Sequence, residues 1–198
     1  MKKKFQGCAQ IHPTSSSNIV LSLVMLAVLS RVAIPPLLGH LPNFSAMDAV
    51  ALFCGAHFHR RLVAVSVTLF SVWLGDVLLS QILMGHWVLF YAGFYWQYAS
   101  YFLITLIGMI LKNNIRPFTI FSSCAASSIL FFAISNFGVW YSNSLYPLTF
   151  NGLIACYVAA IPFFKNTLLS DLLFSMVLFG SFALIVKAQR LPFSIRSR

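Results

Sequence analysis

Near-continuous apolar runs, separated by short polar breaks, occupy the chain from Ile19 to Val186 and fix what it can fold into. They fall at residues 18–38, 47–58, 62–80, 88–111, 117–135, 151–164 and 167–187. A soluble domain would interrupt such runs with charge, but only 8% of these residues are charged, 60% are hydrophobic, and the mean hydropathy is +0.87. Strands of a membrane barrel would read as segments of about ten alternating residues. The runs here are unbroken over about twice that length, so the expected fold is all-α: a polytopic transmembrane helical bundle.

Two runs are short. At about 1.5 Å per residue, 47–58 covers about 18 Å and 151–164 about 21 Å, against a hydrocarbon core of about 30 Å. The basic residues arbitrate, because cations collect on the cytoplasmic side. Suppose 47–58 crosses while 151–164 is a partial helix held outside. Then Lys2, Lys3, Lys4, Arg60, Arg61, Lys112, Arg116, Lys187, Arg190, Arg196 and Arg198 are cytoplasmic, Lys165 alone is external, and Arg31 lies within the first span. If all seven runs cross, the division falls to eight against four. The first arrangement predicts six spans plus a partial outer helix, with both termini cytoplasmic in the inner membrane. It divides the chain into a cytoplasmic tail (1–17), one transmembrane domain (18–187) and a basic cytoplasmic tail (188–198). "MKKK" followed by an apolar run from Asn18 to Leu38 is too long for a signal-peptide core and lacks an A-x-A-like site, so it is read as a retained span.

The formal charge of +10 would suggest nucleic acid in a soluble protein. Here the cations sit between apolar runs, where they orient helices against anionic lipid, so the bilayer and not nucleic acid is the expected partner. Cys8, Cys54, Cys124 and Cys156 show no CxxC and no paired spacing, which argues against a disulfide framework.

The six-span arrangement makes residues 136–166 a long external segment folding back over the bundle. Pro162 to Asp171 becomes a turn into the last span, with Asn166 or Thr167 as its cap. The three acids, Asp48, Asp76 and Asp171, all gather on the outer side. Arg31 needs a carboxylate, carbonyls or water within the membrane, and Asp76 or Asp171 is its expected partner. Such a pair serves either helix packing or a ligand site. His40 and His86 fall in external loops. "HWVLFYAGFYWQYASYF" (86–102) holds too many aromatics for one interfacial belt, so some should face inward and line a pocket with Trp140, Tyr141, Tyr146 and Tyr157.

"SSCAASS" (122–128) places small residues four apart, which lets helix backbones approach closely. In "CGAHFH" (54–59) His57 and His59 are two apart and diverge on a helix, so no metal site is expected. No G-x-S-x-G, H-E-x-x-H or carboxylate pair within one turn is present. An enzyme is not the expected reading, and no cofactor is expected.

"NFSAMDAVALFCGAHF" (43–58) and "SNFGVWYSNSLYPLTFNGLIACYVAAIPFFKNTLLSDLLF" (135–174), with "LGDVLL" (74–79), resemble an uncharacterised bacterial membrane-protein family described as transport proteins. That family is similar to the substrate-binding S components of energy-coupling-factor (ECF) vitamin transporters. The resemblance implies a six-helix bundle that captures a small, vitamin-like molecule from outside, with Asn43, Asn136, Trp140, Tyr157, Asn166 and Asp171 near its mouth. Together with Arg31 and Asp76, which the polar pattern singles out, these form the expected ligand-binding set. S components carry small residues four apart on the first span for docking, whereas "LSLVMLAVLSRVAI" (21–34) lacks a clean Ala-xxx-Ala. The implied partners are therefore a small-molecule substrate, the lipid bilayer, and either an energy-coupling module or none. The alternatives are a non-transporting assembly subunit and, less favoured, a lipid-modifying membrane enzyme.

Overall fold

The computed structural model describes residues 16–38, 42–142 and 145–190. Lys2, Lys3, Lys4, Cys8, His40, Arg196 and Arg198 lie outside them, as do most of the two expected tails. The described residues form six helices and no strand: α1 (Ser16–Leu38), α2 (Met47–His57), α3 (Arg61–Met84), α4 (Phe94–Leu111), α5 (Pro117–Ser142) and α6 (Phe150–Arg190). α3, α4, α5 and α6 are long and apolar enough to cross a membrane.

α2 is the axis of the bundle. It packs against each of the other five helices, and all 11 of its residues are buried. At about 1.5 Å per residue it is only about 17 Å long. Its last turn lies at the basic end of the bundle, where Lys112 Nζ donates to the Phe58 carbonyl (3.3 Å) beside Arg60 and Arg61. Its first turn therefore sits about midway along α3 and α5, and the connector before it descends into the protein. Asn43 adopts a left-handed conformation (φ 63°), which asparagine tolerates better than most residues, and Ser30 Oγ accepts from the Ala46 N–H (2.9 Å). Irregular backbone at such depth persists where protein groups satisfy it, and Ser30 does so here. The expectation that 47–58 itself crosses is replaced by this buried half-length helix.

Two further expectations change. The fourth helix starts at Phe94, not 88, because Gly85 and Gly93, both with positive φ (73° and 80°), bracket an irregular connector. No turn separates 151–164 from 167–187; α6 is one 41-residue helix with Pro162 inside it. The expected partial outer helix and external lid over 136–166 are instead the ends of two packed helices. Thr167 Oγ1 donates back to the Phe163 carbonyl (3.2 Å) and Ser170 Oγ to the Thr167 carbonyl (2.8 Å), so these hydroxyls serve the interior of a helix and do not cap a new one.

Pro162 has no N–H for the Val158 carbonyl, which is a standard cause of a helix kink. α5 and α6 stay paired on both sides of it. Cys156 Sγ reaches the Asn136 carbonyl (3.5 Å), and Ser128 Oγ donates to Asp171 Oδ2 (2.5 Å). Between these rungs α5 advances eight residues, about 12 Å, and α6 fifteen, about 22 Å. Phe132 of α5 meets Tyr157 and Phe164 of α6 on either side of Pro162 (ring centroids 5.5 and 5.2 Å), and a cavity lies beside these rings.

Candidate functional site

At the end opposite Phe58 and Lys112, the mouth end, three adjoining cavities lead inward. The outermost, about 240 Å³, is lined by Tyr91, Ala92, Gly93, Trp96, Gln97, Ser135, Gly138 and Val139. Gln97, Ser135 and Val139 also line the second, about 150 Å³, which continues along Phe131, Phe132, Asn136, Ala160, Phe163 and Phe164 to Asn43 and Thr167. The innermost shares Asn43, Phe131 and Thr167 with the second. It adds Arg31, Ser45, Asp48, Tyr101 and Asp171, and its volume of about 10 Å³ admits about one water. The whole cleft thus runs from an aromatic rim to a charged floor.

Two polar clusters build that floor. In the first, Arg31 Nε donates to Asp76 Oδ1 (2.7 Å), with a second contact from Nη2. Gly75 makes room for this pair: a Cβ there would stand 2.7 Å from Met47 Cε and 3.0 Å from Arg31 Cδ. "LGDVLL" therefore carries a small residue and a carboxylate for one arginine. Gln97 Nε2 reaches Asp76 Oδ2 (3.5 Å) while its Oε1 accepts from Tyr91 Oη (2.6 Å), which ties the rim to the ion pair. Burial first, then the Asp76 carboxylate, pushes the Tyr91 phenol up, so it stays a neutral donor.

In the second cluster Asp48, in the first turn of α2, and Asp171, from α6, are both buried, at 5% and 2% exposure. Both carboxyl groups line the same innermost cavity. Asp48 Oδ2 and Asp171 Oδ1 receive no donor. Ser128 Oγ, from the small-residue stretch of α5, lies 2.5 Å from Asp171 Oδ2 and 3.0 Å from the Cys124 carbonyl.

The expected ligand set divides. Arg31, Asn43, Asn136 and Asp171 line the cleft, and Asp76 holds Arg31 in place. Asn166 Nδ2 donates to the Pro42 carbonyl (3.1 Å) and anchors the descending connector to α6. Trp140 and Tyr157 line none of the three cavities. Trp140 Nε1 donates to the Pro147 carbonyl (3.0 Å), and Tyr157 Oη donates to the Ala133 carbonyl (2.5 Å), so both fasten the α5–α6 hairpin. His86, bonded to the Met84 carbonyl, is exposed and also outside the cleft. His57 stacks on Phe53 among Phe179 and Phe182.

Sequence reasoning missed Asp48, Gln97 and Ser128 as site residues, while Tyr101 is one of the aromatics of 86–102 from which inward-facing residues were expected. Asp48 was recoverable, since a carboxylate in an apolar run marks a site by default. Ser128 was masked by its small-residue neighbours, because the same pattern serves close packing.

Fold and cleft together define a class: an all-helical bundle with four helices long and apolar enough to cross a membrane, around a polar cleft closed at one end. The chain belongs to a family of unknown function (DUF6580), whose model matches residues 12–193. Neither a curated protein nor a solved structure matches it.

Proposed function

We propose that this protein is a membrane transport protein that captures a small, vitamin-like molecule from the external side for uptake, in the manner of an S component. One observation carries the reading. A continuous cleft leads from Tyr91 and Trp96 at the rim to Arg31 and two buried acids at the floor. Aromatic faces suit a planar or partly apolar ligand, and convergent polar groups suit its orientation.

In this reading the chain passes through the inner membrane six times, the second pass made by α2 together with the connector before it, which places both termini in the cytoplasm, the basic end inward and the mouth outward. That topology follows the positive-inside distribution, with Arg60, Lys112 and Arg116 in the two connectors of the basic end and Arg61 opening α3. On α6, Lys165 and Lys187 enclose 21 residues, about 32 Å, which matches a core of about 30 Å. Outward-facing Phe70, Phe118, Ile129, Met176 and Leu184 then meet lipid.

The test is purification in mild detergent, followed by native mass spectrometry and absorbance. A stoichiometric small molecule released on denaturation is the expected result. A clean apo mass that stays unchanged after incubation with a vitamin panel overturns the reading.

A further inference from the structure

Asp48 and Asp171 face one cavity with room for about one water, and two carboxylates so placed are not a stable arrangement. Both side chains are almost wholly buried, and two ionised groups at that separation repel each other in a medium that screens them poorly. Two carboxyl groups can form a hydrogen bond only when a proton lies on one of them. Asp48 Oδ2 and Asp171 Oδ1, both buried and without a donor, supply the vacant acceptor positions.

The surroundings limit what else could neutralise the pair. Arg31, from α1, lines the same small cavity but is engaged by Asp76 of α3. Tyr101 of α4 and Cys124 of α5 face the pair and bring no positive charge. Among the described residues no group of three or more His, Cys, Asp or Glu side chains is placed to hold a metal ion.

We propose that Asp48 and Asp171 form a single-proton site, exchangeable with solvent through the mouth-side cleft. Ser128 completes it. Its one hydroxyl proton can go to Asp171 Oδ2 or to the Cys124 carbonyl. With the shared proton between the two acids, Ser128 donates to Asp171. With the proton on Asp171 Oδ2, that oxygen donates to Ser128, which donates onward to Cys124. Either arrangement keeps one proton and one negative charge on the pair. The small cavity provides the exchange route, since it adjoins the second cavity through Asn43, Phe131 and Thr167. That this proton is the driving ion for uptake rests on the reading above; the shared proton itself does not.

Sequence makes the test unusually clean, because the chain has three side-chain carboxyl groups and one of them, Asp76, faces an arginine. Infrared spectra of the ligand-free full chain at neutral pH, in maltoside micelles that carry no ester carbonyl, should contain one protonated-carboxyl band. It should lie on the low-frequency, strongly hydrogen-bonded side and shift promptly in D2O. Asp48→Asn and Asp171→Asn should each abolish it, since an amide donor replaces the shared proton and the remaining acid ionises. No such band in the wild type overturns the proposal. A band that fails to shift in D2O overturns the exchange route. A band lost on replacing choline chloride with sodium chloride assigns a metal-cation site instead, and a band surviving in Asp48→Asn gives the proton to Asp171 alone. Should neither variant fold, the position of the wild-type band and its D2O shift decide the matter. The readout needs no ligand, so a protein that stays apo through the vitamin panel and still shows the band overturns the uptake reading without touching this one.

Discussion

The two ends of α2 are packed in opposite ways. Toward the basic end its backbone lies directly on α4. A Cβ on Gly55 would stand 2.1 Å from the Thr105 carbonyl oxygen, and one on Gly108 would stand 2.2 Å from that of Leu52. Beside this seam Phe53 and His57 interleave with Phe179 and Phe182. Toward the mouth, the first turn of the same helix faces two carboxyl groups, an arginine and adjoining cavities. The difference teaches where the molecule can give: a close-packed seam fixes the helices at one end, so that buried polar groups and unfilled space can be held at the other.

The largest effects are expected at the seam. Gly108→Ala should lose more than about 3 kcal/mol, because the clash is with backbone and cannot be relieved by a rotamer. Thermal unfolding in detergent measures this, and an unaltered melting temperature would break the contrast between the two ends. Next is Arg31→Met, which strands Asp76 in the interior at a cost of about 3–5 kcal/mol. Arg31→Met combined with Asp76→Leu should recover most of that loss. A double variant that is stable yet no longer carries ligand through purification would give Arg31 a place in recognition as well as in packing.

How much of this was legible in the sequence depends on the range of the interaction involved. All-helical architecture followed from the long apolar runs. The rarity of intramembrane charge narrowed the partner of Arg31 to Asp76 or Asp171, and the structure pairs it with Asp76. What did not follow was depth. Residues 47–58 read as a span because their composition is apolar, yet α2 is apolar for a different reason: it is enclosed by protein on every side. Periodicity cannot separate these cases when lipid and protein core favour the same side chains. Pro162 misled for a related reason. A proline amid Lys165, Asn166 and Asp171 reads as a turn, but Lys165 points outward, Asn166 reaches Pro42 and Asp171 meets Ser128, so each polar group has its own outlet from a continuous helix.

A smaller effect is expected where the cavities meet. Ser135 and Val139 line both outer cavities, and the space beside them is unfilled. Ser135→Phe should therefore change stability by no more than about 1–2 kcal/mol while reducing ligand retention at least about tenfold. Melting temperature and native mass spectrometry on the same preparation separate the two quantities. If the variant folds and still carries its ligand, the cleft is not the binding path.

The smallest effects should come from Trp140 and Tyr157, the two residues of the expected set that the fold moves out of the cleft. Trp140→Phe and Tyr157→Phe each keep a ring and remove one donor, from the Pro147 and Ala133 carbonyls respectively. Each should cost about 0.5–1.5 kcal/mol, the ordinary worth of one intramolecular hydrogen bond. Ligand retention should change less than about twofold, which is about 0.4 kcal/mol of binding free energy. Both residues lie on the mouth side of Pro162, where α6 is tied to α5, so their bonds close the hairpin above the cavity without touching what enters it. A large loss of ligand in either variant would mean that the hairpin sets the width of the cleft. The position of α6 around Pro162, and not the lining alone, would then determine what the protein admits.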